Sequence, residues 1–307
     1  MTFGEHLDEL RRRLMKGILA FAVAFAAAFA FQEELLRYCA RPYESARASI
    51  NVDLTAKWIA RPKSEEARAV DRVVALLAKK GVFDEADLKE LAPSIERERR
   101  LSAPHLDTLQ ATGALEQFNA YMLICLLAAL VVSGPMLIFQ LWQFVAEGLY
   151  DTERRTVMRV LPVSLALFFV GLAFGYGVMA EMSVRFLIGY GDIEIIRPQV
   201  TVSSYLGLLF LLLLVMGLVF QIPLVMTVLA STGLVGPDFY RGKRRHCVLA
   251  IFLIAAIITP PDYVSQLLVA GPMWILFEIG IVLAKWATRR RSRRRDPPNP
   301  PKPAATP

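Results

Sequence analysis

The sequence predicts an all-α polytopic membrane protein with six transmembrane helices, both termini cytoplasmic, a short last hairpin and a helical extracytoplasmic insertion. Three observations predict it. Hydrophobic residues make up 55% of the 307 positions, more than a soluble domain of that size carries. They gather into runs that reach or exceed the roughly 18–20 residues needed to span a bilayer core. The basic residues sort onto alternate joining segments, the pattern that orients a chain in a membrane.

The first element, residues 1–31, is an amphipathic amino-terminal helix that runs into a span at about 14–31. Phe3, Leu7, Leu10 and Leu14 recur at helical spacing and make one apolar stripe. Glu5 and Glu9 lie four apart on another face. Arg11, Arg12, Arg13 and Lys16 follow. A bare anchor needs only the positive charge, so the carboxylates held beside it are the first functional signal.

Residues 32–117 read as an extracytoplasmic loop of dense, nearly balanced charge, with a helical insertion at about 57–102. Ser64-Glu65-Glu66 starts a helix with Ala67, Val70, Val73, Val74 and Leu77 on one face and Gly81 as a stop. Asp84 opens a second helix that closes near Pro93, and Ser94 can open a third. The insertion is either a cap over the outer surface or an addition without a direct role.

Residues 118–286 carry spans two to six, at about 118–139, 160–179, 205–229, 248–259 and 264–286. Arg154, Arg155 and Arg159, then Arg241, Lys243, Arg244 and Arg245, fall on the same side as Arg11–Lys16 and the carboxyl-terminal tail. The segments 181–204 and Pro260-Pro261-Asp262 fall on the other side and carry little positive charge. Both termini are therefore expected in the cytoplasm. The fifth span is short, because twelve to fifteen residues cover only ~18–23 Å of a ~30 Å core. Pro260 and Pro261 end it, since neither can donate the helical hydrogen bond.

The tail, 287–307, is basic and Pro-rich. The net charge is +7, and Lys285, Arg289, Arg290, Arg291, Arg293, Arg294 and Arg295 alone supply as much. Beside a span, such a block reads as a topology signal and a contact for anionic lipid rather than as a nucleic-acid site. Cys39, Cys125 and Cys247 show no metal spacing, and an odd count argues against a disulfide framework. No His or carboxylate cluster suggests a metal, and no glycine-rich loop with a following lysine suggests a nucleotide. No nucleophile has a plausible base. Neither an enzyme nor a cofactor is expected, and any work would draw on an ion gradient or on partners.

Polar residues inside apolar runs are costly and so are candidates for function. Gln221 lies two residues before Pro223, where its amide could satisfy a carbonyl that the proline frees, or meet a substrate or a partner helix. Glu278 lies in the sixth span. Glu181 and Arg185 stand four apart near the outer end of the third span, a spacing at which they could simply pair.

Several segments, in order, resemble the TatC family, the core of the twin-arginine protein translocase. They begin with Phe3-x-x-His6-Leu7-x-Glu9-Leu10-Arg11-x-Arg13-Leu14 and continue with Ser133-Gly134-Pro135 and Phe139-Gln140-x-Trp142-x-Phe144. Gly148-Leu149-Tyr150-x-x-Glu153-Arg154-Arg155 and Phe220-Gln221-Ile222-Pro223 come next. Thr259-Pro260-Pro261-Asp262-x-x-Ser265-Gln266 and Leu276-Phe277-Glu278-Ile279-Gly280 complete the series. The resemblance covers nearly the whole chain except about 57–102 and the tail.

The resemblance implies a receptor that binds twin-arginine signal peptides of folded precursors at the cytoplasmic face of a bacterial inner membrane. It also implies a scaffold that assembles single-span TatA and TatB partners, in multiple copies, for export driven by the proton gradient. Glu9 and Glu153 correspond to the family's signal-contacting carboxylates and Phe144 to an aromatic in the same region, with Leu10 and Arg11 beside them. Thr259 and Gln266 correspond to polar positions that contact partner helices, and Gln221 joins them as a candidate. Pro42, Pro135, Pro223, Pro260, Pro261, Asp262 and Glu278 are expected to be structural.

The chemistry fits, because a guanidinium pair is best read by carboxylates in fixed geometry. The alternative is that Glu9 and Glu153 pair only with their neighbouring arginines. Two departures stand out. Glu147 occupies a position where many relatives have proline, and Gln221 one where glutamate is frequent, so a proton shuttle there is not expected. The rival classes are a secondary transporter of a small solute, which would need internal repeats and mid-membrane ion ligands, and a scaffold without recognition.

Overall fold

The computed structural model describes residues 3–60, 105–149, 151–189, 199–258 and 263–295, with a few single positions between 72 and 97. The expected insertion helices fall almost wholly outside these residues. So do Thr259, Pro260, Pro261, Asp262 and the tail beyond Arg295.

Every extended element is helical. The amphipathic start and the first span form one helix, α1 (Phe3–Phe29). The chain then turns by 93° at Ala30-Phe31 into α2 (Gln32–Ala60). From sequence, 32–56 is expected as loop, because it carries no long apolar run. In the structure Cys39, Tyr43 and Ala46 supply a narrow buried face at helical spacing, and Pro42 is accommodated inside the helix. Glu33 and Glu34 in the first turn and Lys57 in the last suit the helix dipole.

Helix α3 (Ala114–Glu147) contains Pro135. Helix α4 (Asp151–Phe174) passes through a π-helical turn, Gly175–Ala180, into α5 (Glu181–Gly189). Helix α6 (Val202–Val219) starts at Thr201, whose hydroxyl accepts from the Ser204 N–H at 3.3 Å. It breaks at Phe220-Gln221 and resumes as α7 (Ile222–Thr232), where Pro223 in the first turn lacks only an N–H that would be orphaned anyway. Gly233 ends α7 at φ 79°, the left-handed position that glycine adopts without strain. The short α8 (Pro237–Gly242) leads to α9 (Arg244–Ile258) and α10 (Tyr263–Arg295).

Among the described residues, four helical stretches are long and apolar enough to cross a bilayer: Ala114–Glu147, Val157–Gly189, Val202–Thr232 and Gln266–Arg289. A fifth counts if the bent pair Asp8–Phe29 and Gln32–Trp58 is taken together. The expected six spans are thus four, or up to five, by length and composition. The difference lies at α9, whose 15 residues reach only about 22 Å, and, in the count of four, also at the first span, which qualifies only when joined to α2.

The core has two parts. Helices α2, α3, α4 and α6 bury Tyr43, Ile124, Trp142, Val157, Leu206 and Leu209. Helices α6, α7, α9 and α10 bury Met216, Met226, Ala255, Val269 and Met273. Close approach explains two glycines. A Cβ at Gly171 would sit 2.7 Å from the Met216 carbonyl oxygen, and one at Gly280 would sit 2.5 Å from the Met226 Sδ. Helix α1 packs almost entirely on α3, running the opposite way. Gly17 faces Leu137, and Ala28 meets Cys125 and Ala128. Small residues at this seam let the two backbones approach, as membrane helices commonly do.

Candidate functional site

The antiparallel register of α1 on α3 has a chemical result at one end. Glu9 and Arg13 lie one turn apart on α1, and Gln143 and Glu147 lie one turn apart in the last turns of α3. The four side chains converge. Arg13 Nη1 donates to Gln143 Oε1, and Nη2 donates to Glu147 Oε1. The same Nη2 stands 2.7 Å from Glu9 Oε1. Arg13 keeps 9% of its side-chain exposure, Glu147 16% and Glu9 26%. Among the described residues, Arg13 Nε has no hydrogen-bond partner.

This cluster partly departs from the expected pair. Glu9 is where the sequence placed it, but its partner carboxylate here is Glu147, the residue that departs from the family pattern. Glu153 is the third residue of α4, soon after the Gly148-Leu149 turn that ends α3, and so at the same end of the bundle. Its side chain lies outside the described set. Phe144 is half-buried on the turn of α3 that precedes Glu147. Leu10, Arg11 and Arg12 are exposed beside the cluster, as are Arg154, Arg155 and Arg159 at the start of α4.

Sequence reasoning missed Arg13 and Gln143 as site residues. Their signal was present: Glu9 to Arg13 and Gln143 to Glu147 are both four-residue spacings, each placing its pair on one helix face. The apolar stripe misled. Leu10 and Leu14 are 39% and 58% exposed, while Arg13 and Gly17 on another face meet α3.

Several of the remaining candidates make contacts within the bundle. Ser164 is fully buried, accepts from Trp142 Nε1 at 2.7 Å and donates to Gln221 Oε1. Gln221 Nε2 donates to the Ser164 carbonyl at 3.2 Å, so the amide ties the α6–α7 break to α4. That corrects the expectation that it serves a carbonyl freed by Pro223. Gln266 Nε2 donates to the Phe252 carbonyl at 3.0 Å and fastens α10 to α9. Glu278 is not isolated in the membrane, because Arg244 at the start of α9 reaches it at 2.7 Å. Arg185 pairs with Glu181 at 2.8 Å, as their spacing suggested. Among the described residues, no group of three or more His, Cys, Asp or Glu could hold a metal ion.

At the opposite end of the bundle, several neutral contacts join segments distant in sequence, beside the carboxylates Glu116 and Glu181. Tyr205 donates to the Cys39 carbonyl at 2.7 Å and Tyr43 to the Asp107 carbonyl at 3.0 Å. Asn51 accepts from the Leu106 N–H at 2.8 Å. Gln110 and Thr201 form an isolated parallel bridge, with Val202 N–H donating to the Gln110 carbonyl at 2.9 Å.

Comparison with known proteins adds independent findings. A family model for the Sec-independent protein translocase protein (TatC) matches residues 5–272. A Desulforapulum autotrophicum Sec-independent protein translocase protein TatC is 30% identical over 283 residues, covering 92% of this chain and 84% of its own. The Bacillus subtilis protein TatCy is 26% identical, covering 95% and 92%. The Escherichia coli K12 protein is 31% identical over 193 residues, covering 63% and 74%. A crystal structure of a twin arginine translocase receptor, TatC, superposes with a TM-score of 0.65 at 27% identity, covering 92% of this chain and 100% of that one.

Proposed function

The chain belongs to the TatC family, and from that premise we propose that the end of the bundle carrying Glu9 reads the arginine pair of a signal peptide. The protein is a non-catalytic receptor and scaffold subunit of the twin-arginine translocase, a multi-pass protein of the bacterial inner membrane. Its termini face the cytoplasm in this reading, and α9, with the covering of a partner or a thinned bilayer, completes six crossings. Single-span TatA- and TatB-type subunits dock on the membrane face of the last hairpin, near Thr259 and Gln266. Several copies assemble around a folded precursor, and the proton gradient drives export.

The observation that carries the recognition reading is the guanidinium held at Glu9. This position accepts a planar cation on a carboxylate, in a partly buried setting where charge-assisted hydrogen bonds are strong. Glu153 opens the next helix at the same end, and Phe144 offers an apolar face beside it. The surrounding Arg11, Arg12, Arg154 and Arg155 would repel an arginine-rich ligand unless carboxylates offset them. The contrasting reading, in which Glu9 serves only to fasten α1, draws on the same ion pair.

Crosslinking of a photoreactive twin-arginine peptide to membranes containing the protein separates the two. Charge reversal at Glu9 or Glu153 is expected to weaken the crosslink, and reversal of both to remove it. Unchanged crosslinking in a folded double variant would overturn the recognition reading.

A further inference from the structure

We propose that Arg13 is an internal competitor for the arginine-reading carboxylates, and that Glu147 is a specificity-determining residue of the same site. This inference rests on the recognition reading above. Arg13 presents to Glu9, Gln143 and Glu147 the same guanidinium that a twin-arginine ligand would present. Binding then exchanges one guanidinium for another, and Arg13 swings out on its flexible stem.

Four observations point to exchange rather than a permanent rivet. Glu9 and Glu147 converge on a single nitrogen, Nη2, so two carboxylates face one cation and the cluster keeps a net negative charge. A ligand with two adjacent guanidinium groups neutralises it more fully than Arg13 can. The internal fit is also incomplete, because Nε of Arg13 is buried without a partner among the described residues. An unpaired buried donor is a standing cost that leaving the cluster relieves. The site favours any cation placed there: Glu147 closes α3, the last turn holds no basic residue, and the helix carbonyls point the same way. Finally, Leu10, Arg11 and Arg12 beside the cluster are exposed, so a ligand can approach it from the α1 side.

The carboxylate at 147 makes the site selective. A fork that engages Gln143, Glu147 and Glu9 together needs a planar guanidinium, whereas an ammonium reaches them one at a time. The protein is therefore expected to favour a twin-arginine over a twin-lysine sequence more strongly than it would with a neutral residue at 147.

The test uses the full-length protein in lipid nanodiscs and a fluorescent twin-arginine signal peptide, with its twin-lysine form as control. Arg13→Gln is expected to tighten arginine-peptide binding by about tenfold, equivalent to ~1.4 kcal/mol. In the Glu147→Gln background the same change is expected to give a smaller tightening, through Glu9 alone, and Glu147→Gln alone to narrow the arginine-over-lysine preference. Arg13→Lys keeps the charge but loses the fork, so it should tighten binding by an intermediate amount. It serves where Arg13→Gln does not fold. If Glu9→Gln weakens binding while folded Arg13 variants bind at or below the wild-type affinity, internal competition is overturned and the recognition reading stands. If Glu9→Gln and Glu153→Gln both leave binding unchanged, the recognition reading itself is overturned, and the competition with it.

Discussion

The two ends of α3 solve the same problem in opposite ways. At its amino-terminal end the contacts between segments distant in sequence are mostly neutral, while the carboxylates there, Glu116 and Glu181, are met within their own helix or turn by Thr112 and Arg185. Asn51 caps Leu106, Tyr43 caps Asp107, and Gln110 pairs with the strand-like residues Val200 and Val202. At its carboxyl-terminal end, charge does the work. Glu9, Gln143 and Glu147 share one arginine, and a donor is left over. Neutral, matched bonds fix geometry; an over-supplied ionic cluster can trade one cation for another. The first end serves as frame; under the competition proposed above, the second is where one cation gives way to another.

The strongest way to break this contrast is Glu147→Lys. It strips a carboxylate from a nearly buried guanidinium and adds a like charge beside it, which should cost about 3–5 kcal/mol. Thermal unfolding followed with a thiol-reactive dye would read the loss, since Cys39 and Cys125 are buried free thiols. Next comes Gly171→Ala, remote from both ends, where the new methyl meets the Met216 carbonyl. The backbone cannot yield as a side chain can, so about 1–3 kcal/mol of stability is expected to be lost with peptide affinity preserved. At the neutral end, Tyr43→Phe removes one hydrogen bond and should cost ~0.5–1.5 kcal/mol. It should leave signal-peptide binding unmoved; a shift in affinity would blur the division between the ends. The smallest effect is expected at Glu278→Gln. Its pair with Arg244 is partly solvated, and losing it should cost less than about 1 kcal/mol in the same dye assay.

The fold was legible where hydropathy carries it. Spans two, three, four and six stand out because long apolar runs have few other uses, and the described helices enclose them. Two things escaped, for different reasons. Helix α2 lacks an apolar stripe, and its buried face is a cysteine, a tyrosine and an alanine with a proline between, a pattern that propensity reads as loop. On α1 the described part of the stripe, Leu10 and Leu14, is exposed rather than packed on α3. Where the outer solvent is hydrocarbon, leucines are content to face it, and the protein contact goes to small residues and the one arginine. Glu9 was found because a carboxylate beside a basic block is out of place. Arg13 was not, because within Arg11-Arg12-Arg13 nothing in composition distinguishes the residue that turns inward. Only the register of α1 on α3 selects it. Gln221 shows the same limit: its polarity was conspicuous, but its partner, Ser164, lies 57 residues away in sequence.

The right-angle turn after α1 sets a depth. Helix α2, ~44 Å long from its 29 residues, is a crossbar too long and too polar to be drawn into hydrocarbon. Arg13 stands seventeen residues before Ala30 at the bend (30 − 13), which is about 26 Å along the helix axis, close to the thickness of a bilayer core. If the crossbar rests on one surface, as the proposed topology has it, Arg13 and its carboxylates would lie near the opposite one. The bend thus acts as a ruler, and adding or removing a turn between Arg13 and Ala30 would move the charge cluster along the membrane normal by about 5 Å.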